Sequence, residues 1–182
     1  MTAYGGRELA AAFRTVRGNT VKTVEDIPEG QLGVSAGAGT RTIAQMIAHI
    51  AYNSRVAEDM HRVKKITGFD GYNFPALIAV ISADEAKLSG KDQLIAALKS
   101  EGEHFASWLE SLSDEFLAER VENFDKSGSR SRLEMLLSPK EHEMHHRAQL
   151  MVLQRMVGVV PHLTRERLAR TAAAQAAAQP KA

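Results

Sequence analysis

The chain has 182 residues, of which 44% are hydrophobic and 25% charged, and this length and balance suit one domain with a real core. Lys and Arg number 23 against 22 Asp and Glu, so the net charge of +1 gives no overall electrostatic footprint for nucleic acid. The absence of cysteine excludes disulfides, thiolate metal sites and a cysteine nucleophile. No uncharged run approaches the roughly 20 residues of a membrane span, and the charged N-terminus lacks a signal-peptide pattern. These features predict a soluble, cytoplasmic protein without a membrane partner.

Apolar residues recur at helical spacing in four long stretches, whereas the alternation typical of strands is almost absent. The predicted long helices cover about residues 7–24, 40–66 (starting at Thr40 or Thr42), 89–109 and 138–157. Residues 69–82 combine a loop with either a short apolar helix or a buried connector, and residues 122–130 form a polar connection. The pattern predicts an all-α four-helix bundle over residues 1–160, followed by an Ala-rich C-terminal helix and tail over residues 161–182.

The fourth long helix has the clearest start signal. Ser138, Pro139 and Glu141 occupy the N-cap, N1 and N3 positions of a predicted capping box, and Gly158 is expected just after the helix end. The periodicity places aliphatic residues on the same side as the histidines of this helix, which predicts that this side faces the bundle interior. Its opposite, outward face is expected to include Lys140, Glu143, Arg147, Gln154 and Arg155.

Three of the seven histidines, His142, His145 and His146, lie within five residues near the start of that helix. His142 and His146 are one turn apart and within roughly 40° of each other around the helix axis. This i, i+4 arrangement lets two imidazoles converge on one metal ion. The pair therefore predicts part of a metal site.

His49 is the natural third ligand, because it stands alone in an otherwise apolar or small stripe of the second helix. That stripe comprises Thr42, Met46, His49, Asn53, Val56, Met60 and Val63. Three neutral imidazoles with an open fourth position are typical of catalytic rather than structural zinc sites, although nickel, copper and iron also accept imidazole. The alternatives remain a hydrogen-bonded core histidine at His49 and a solvated pair on the fourth helix.

The stretch HEMHHRAQL over residues 142–150 resembles the closing H-x3-H-R-G-Q motif of the DinB-like (DinB/YfiT) superfamily, with Ala148 in place of the usual glycine. The stretch TIAQMIAHI over residues 42–50 resembles the first-histidine motif of that superfamily. The resemblance spans roughly residues 5–160 and implies an up-down-down-up bundle. It also implies a divalent metal ion, zinc or nickel foremost, held by His49, His142 and His146.

Other residues are expected near this site. Asn53, Tyr52, His145 and Gln149 are candidate catalytic or substrate-orienting residues, and Gln149 is the candidate hydrogen-bond partner of a ligand histidine. Arg147 matches the superfamily motif but is expected at the surface or in an interface. The predicted pocket walls are Phe13, Met46, Tyr52, Leu153 and residues 69–81. The loop over residues 29–39 is expected either to flank the entrance or to be only a connection.

The favoured function is a metal-dependent transferase or hydrolase that acts on a small molecule, such as a low-molecular-weight thiol. The alternatives are a non-catalytic metal- or ligand-binding stress (damage-inducible) protein and a structural bundle whose histidines only form hydrogen bonds. The other histidines, His61, His104 and His162, are expected at the surface or in local hydrogen bonds. The resemblance implies a homodimer. Arg165, Arg167 and Arg170 are the only local basic cluster, and nucleic acid is not expected as the main partner.

Overall fold

A computed structural model describes residues 4–178 of the chain. Its α-helices are α1 Gly6–Glu25, α2 Ile43–Tyr52, α3 Ser54–Glu58, α4 Phe74–Glu85, α5 Lys91–Glu110, α6 Asp114–Ala118, α7 Arg132–Leu136, α8 Ser138–Met156 and α9 His162–Ala178. A 3-10 turn covers Glu29–Gln31 and a π-helical turn covers Asp59–Val63. The strands β1 Arg120–Glu122 and β2 Ser129–Ser131 pair in antiparallel orientation. None of the helices in the described range is long and apolar enough to cross a membrane.

The predicted four-helix bundle is confirmed. Its members are α1, the α2–α3 segment, α5 and α8, and α1 and α2 lie diagonally opposite, each packed between α5 and α8. The directions follow from contacts between the helices: Arg17–Glu143 and Thr23–Gln154 for α1 with α8, His49–His146 and Asn53–His142 for α2 with α8, and Arg55–Glu101 and Glu58–His104 for α2–α3 with α5. Helix α8 thus runs parallel to α1 and antiparallel to α2, while α5 runs parallel to α2. This is the up-down-down-up order.

The second helix is shorter and less regular than its periodicity predicts. It begins after Thr42, whose side chain and that of Gln45 form a capping box. Regular α-helix is interrupted at Asn53, and the following π turn ends at Val63 instead of Ile66. Val63 is 65% exposed, so it does not belong to an inward stripe.

The predicted capping box at Ser138 is wrong. The chain is already helical before this position, because α7 ends at Leu136 and Leu137 keeps right-handed helical angles. The capping box lies one short helix earlier, where Ser131 and Glu134 bond each other's backbone amides. Gly158 does follow the end of α8 as predicted, with a φ of +81°.

The predicted faces of α8 are also partly wrong. Glu143 and Gln154 are buried and Arg147 is half-buried, whereas Val152 and Met156 are more than half exposed. The polar residues face α1, where Arg147 donates a hydrogen bond to the Val16 carbonyl and Gln154 donates one to Thr23. A prediction from polarity alone therefore misassigned this side of α8, because the hydrogen-bond partners of its polar residues lie on α1, which is far away in the sequence.

The segments outside the four main helices also depart from a simple loop description. Of the two alternatives predicted within residues 69–82, a short apolar helix or a buried connector, the structure shows the helix, α4. Ile81 is the one buried residue of α4. The connection over residues 122–130 belongs to a small hairpin. Helix α9 is anchored at its start, where Arg165 pairs with Asp26, and residues 165–178 are exposed. The end of the predicted tail, residues 179–182, lies outside the described part of the chain.

The three remaining histidines differ in burial. His61 and His162 are buried and, as expected, each has a ring nitrogen within hydrogen-bond distance of a neighbour, Arg132 for His61 and Asn19 for His162. His61 Nδ1 lies 3.0 Å from an Arg132 nitrogen, and burial together with this cation lowers the pKa of His61 to about 4. His104 lies at the surface beside Glu58, as expected.

Arg17 joins all four bundle helices from the middle of the molecule. Its Nε lies 2.9 Å from Glu143 Oε2, and its two terminal nitrogens donate hydrogen bonds to the carbonyls of Leu98 and Ile50. The two side chains of the ion pair are 6% and 3% exposed. Gly102 makes room for this arrangement, since a Cβ there would lie 2.7 Å from Arg17 Cγ.

Removing one partner of this ion pair should lower the free energy of unfolding far more than replacing both partners with apolar residues. We expect Arg17→Met to lower the free energy of unfolding by about 3–5 kcal/mol, because the Glu143 carboxylate then stays buried without its cation. The double variant Arg17→Met/Glu143→Met should recover most of that loss. Urea unfolding of the wild type, both single variants and the double variant measures the coupling. Losses in the single variants that simply add in the double variant would contradict the interpretation.

Candidate metal centre

The structure brings together the three histidines that the sequence singles out. His142 Nε2 lies 3.3 Å from His49 Nε2 and 3.2 Å from His146 Nε2. One ligand atom from each of the three lies within 4.8 Å of the other two. His49 comes from α2, and the other two come from successive turns of the antiparallel α8. His146 is buried and the other two are half-buried.

Neighbouring side chains hold two of these rings by their outer nitrogens. Glu85, at the end of α4, places Oε1 3.0 Å from His49 Nδ1. Gln149 places Oε1 2.8 Å from His146 Nδ1 and its amide nitrogen 3.1 Å from His145 Nε2. Both Nδ1 atoms therefore donate to an oxygen, and both Nε2 atoms present a lone pair toward His142. This is the outer hydrogen bonding that orients histidine ligands in metal sites.

The converging nitrogens fit a metal ion better than they fit one another. A single proton on His142 Nε2 can be donated to only one of the two facing lone pairs. Nitrogen ligands at 2.0–2.1 Å from one tetrahedral ion lie about 3.3 Å apart, which matches the observed separations of 3.2 and 3.3 Å. The donor set of three imidazoles also suits zinc or nickel.

The electrostatic surroundings of His142 and His146 favour the neutral imidazole, which is the form that binds metal. Burial lowers the pKa of His142 to about 4, with further lowering from the neighbouring histidines and from Arg41. Burial also lowers the pKa of His146, against an opposing effect of the Gln149 hydrogen bond. His142 Nδ1 is buried and has no hydrogen-bond partner among residues 4–178.

The predicted helper residues are distributed unevenly around the cluster. Asn53 Nδ2 lies 3.4 Å from His142 Nε2, so Asn53 borders the converging nitrogens. Gln149 touches His146, as noted above. His145 is exposed; its ring centre lies 4.9 Å from that of His146, and its Nε2 lies 3.1 Å from the Gln149 amide nitrogen. The Tyr52 ring lies beneath the Arg55 guanidinium, 4.2 Å from ring centre to Cζ.

Two residues near the cluster were absent from the sequence-based candidates. Glu85 was missed because α4 lies outside the four predicted bundle helices, and no periodicity aligns α4 with His49. Arg41 stands just before the N-cap of α2, and its charge acts on His142 and His146. Glu85 at the end of an apolar segment and Arg41 before a helix cap were both visible in the sequence. Neither pattern shows which side chains these residues approach in the folded chain.

Two hollows approach the cluster from the side of Arg41. The larger groove, about 750 Å³, lies between the loop before α2 and the end of α4, and Glu85 is part of its wall. The smaller cavity, about 250 Å³, lies between α2 and α8 and includes Gln149. The glycine-rich loop therefore does flank the site, since Gly33 and Gly39 line the larger groove.

The predicted pocket walls are only partly correct. Met46 and Leu153 line the smaller cavity. Phe13 instead lies in the core, 1% exposed, with its ring 5.0 Å from that of Phe105. Part of the 69–81 segment lines a separate cavity of about 640 Å³ beside Tyr72, while the following turn of α4 reaches the site.

Solved structures with the same fold include YfiT from Bacillus subtilis, described as a probable metal-dependent hydrolase with an unusual four-helix bundle topology. It is 15% identical with a TM-score of 0.64, over 87% of this chain and 91% of that one. A mycothiol-dependent maleylpyruvate isomerase is 16% identical with a TM-score of 0.61, over 81% of this chain and 61% of that one. These TM-scores show that the fold is shared, and at identities this low the likeness shows the fold alone.

The colibactin self-resistance protein ClbS, solved in complex with a dsDNA, is 15% identical with a TM-score of 0.61, over 85% of this chain and 98% of that one. No curated protein matches the sequence significantly. The profile of the DinB superfamily matches residues 12–150, which is more than half of the chain. Together with the shared bundle fold, this match establishes that the chain belongs to the DinB superfamily.

Proposed function

We propose that the protein is a divalent-metal-dependent enzyme, a transferase or hydrolase, whose ion is held by His49, His142 and His146. The observation that carries this proposal is the convergence of the three Nε2 atoms, together with the hydrogen bonds that hold His49 Nδ1 to Glu85 and His146 Nδ1 to Gln149. The name of YfiT as a probable metal-dependent hydrolase supports the same class of chemistry. Zinc and nickel are the expected ions, because both accept imidazole ligands.

The proposed chemistry would use a position on the ion that the three histidines leave free for a water or a substrate. A divalent ion held by three imidazoles lowers the pKa of a bound water or thiol and so supplies a nucleophile at neutral pH. Around it, Glu85 keeps the His49 proton on Nδ1, and Gln149 does the same for His146. Asn53 borders the same space and is proposed to orient the substrate, with His145 as a further candidate at the rim.

We propose a small molecule, such as a low-molecular-weight thiol, as substrate. The larger groove has room for such a ligand and carries polar side chains from the start of α2 and from α4, including Thr42, Gln45 and Ser82. A thiol supplied by the substrate also fits a chain without cysteine. The mycothiol dependence named for the isomerase of the same fold supports this class of substrate.

Nucleic acid is not part of the proposal. The arginines of α9 lie on an exposed helix, and Arg165 is already paired with Asp26. The dsDNA in the ClbS structure is a property of that protein, and the fold alone does not transfer it. The absence of a nucleic-acid partner therefore stays a prediction.

Elemental analysis of the purified protein tests the proposed ligands. We expect about one ion of zinc or nickel per chain in the wild type, and its loss in His49→Ala and in His142→Ala/His146→Ala, because either change leaves fewer ligands than the three the proposal requires. His145→Ala is the matched control: it removes an exposed imidazole of the same helix and should keep the metal.

The outcomes separate the functional alternatives. A wild type that takes up neither zinc nor nickel after reloading would contradict the proposal and leave a polar network of histidines. Metal held without an exchangeable water, measured by proton relaxation after substitution with a paramagnetic ion, would favour a non-catalytic stress protein that stores the ion. Metal-dependent turnover in thiol-transfer or hydrolase assays would support the enzyme.

Glu85→Gln tests the outer hydrogen bond to His49. An amide accepts the Nδ1 proton more weakly than a carboxylate, so we expect metal affinity to fall by about 10–100-fold. Competition with a chromophoric chelator measures this change. Glu115→Gln, which removes an exposed carboxylate from α6, is the control and should leave the affinity unchanged. Equal affinities of Glu85→Gln and the wild type would remove Glu85 from the proposed site.

We also propose that the protein forms a homodimer, supported by the apolar side chains that α4 exposes. Phe74, Ile78 and Val80 are 44%, 37% and 61% exposed. If a second copy covers this helix, Val80→Lys should shift the protein from dimer to monomer in sedimentation equilibrium. Leu168→Lys, at a similarly exposed position on α9, is the control. A monomeric wild type would contradict the proposal.

A further inference from the structure

The smaller cavity beside the histidines combines an apolar wall with one charged residue. It is lined by Ala36, Thr40, Arg41, Met46, Gln149, Val152 and Leu153. Met46 lies about one turn before His49 on α2, and Gln149 about one turn after His146 on the antiparallel α8. The cavity therefore adjoins the metal centre along the groove between these two helices.

Arg41 is available to bind a ligand. It is exposed, and the ion pairs and hydrogen bonds found within residues 4–178 do not engage its guanidinium. The neighbouring amides at the start of α2 are already used, since Ile43 donates to Val34 and Ala44 to Leu32. Thr40 donates its hydroxyl to Gly37 and so fixes the loop beside Arg41. The guanidinium is thus the cationic donor that this end of α2 offers.

Gln149 ties the cavity to the histidines. Its side chain lines the cavity and also accepts the Nδ1 proton of His146 at 2.8 Å. Arg41 is near enough for its charge to act on His142 and His146. A ligand held by Arg41 in this cavity therefore lies next to the proposed ion.

The rest of the wall indicates the body of that ligand. Met46, Val152 and Leu153 present aliphatic and thioether surface, and Val152 is 57% exposed, so a ligand in the cavity would cover it. The volume of about 250 Å³ lies slightly below the usual range for ligand pockets, so the ligand must be small. Arg41 also lines the larger groove, but that groove suits an acid less well, because the Glu85 carboxylate is part of its wall.

We infer that the smaller cavity binds a small organic acid with an apolar body, whose carboxylate pairs with Arg41 and whose chain lies on Met46, Val152 and Leu153. The pairing is a charge-assisted hydrogen bond, and a guanidinium offers two parallel N–H groups to a carboxylate. Only the identification of this acid as a substrate rests on the proposed function. Binding itself follows from the cavity.

The test compares hexanoate, hexanamide and hexylamine, three probes of the same length with negative, neutral and positive ends. Binding to the full chain is followed by amide chemical shifts in ¹H–¹⁵N NMR, with metal-free and with zinc-loaded protein. We expect hexanoate to bind about tenfold or more tightly than hexanamide, as one charge-assisted hydrogen bond provides. Arg41→Met should abolish this preference, and Arg41→Lys should keep part of it. Arg167→Met, which removes an exposed arginine of α9, should leave it unchanged.

A second variant tests the cavity without touching Arg41. Val152→Asp places a carboxylate at an exposed wall position, so it should abolish the binding of hexanoate and favour hexylamine while the protein stays folded. A hexanoate preference that persists in Arg41→Met would overturn the inference, as would a preference that requires zinc and ignores Arg41. Zinc binding without any acid preference would overturn it and leave the proposed function standing. An Arg41-dependent preference in protein that binds no zinc would support it and contradict the proposed function.

Discussion

The buried pair between Arg17 and Glu143 is the interaction on which the arrangement of the bundle depends. Arg17 bonds the Glu143 carboxylate of α8 and the carbonyls of Leu98 on α5 and Ile50 on α2, so one guanidinium links four helices. Two desolvated charges are tolerated only when each has its partner, which gives the helices one mutual register. Glu143 lies directly after His142 and three residues before His146. The register that the ion pair sets is therefore also the register of the histidines.

The same arginine bears on the shape of the second helix. Regular α-helix is interrupted at Asn53, three residues after the Ile50 carbonyl that accepts a hydrogen bond from Arg17. Side chains that bond helix carbonyls are among the recognised causes of such irregularities. Asn53 is also the residue whose amide borders His142. The irregular turn thus lies where the helix passes the histidine cluster, between His49 and the π-helical turn.

The pair of histidines on α8 and the bundle were predictable because both depend on local periodicity. An i, i+4 pair on a helix points one way whatever surrounds it, and long apolar periods specify helices that must pack. The capping box at Ser138 failed for the opposite reason: Leu137 was already helical, which no pattern within residues 138–141 reveals. The prediction of the inward side of α8 was partly wrong because Glu143 and Gln154 have the polarity of surface residues. Their burial follows only from their partners on α1, Arg17 and Thr23.

The sequence by itself determined the helices, the three histidines and the superfamily, since helical period and motif spacing are properties of short stretches of chain. Only the tertiary structure decided what surrounds the histidines. Glu85 reaches His49 from a helix that the periodicity did not assign to the bundle, and Arg41 reaches the smaller cavity from a loop. Both contacts join residues brought together by the packing of separate elements. Their charges act through space over a few ångströms, whereas sequence patterns record only neighbours along the chain.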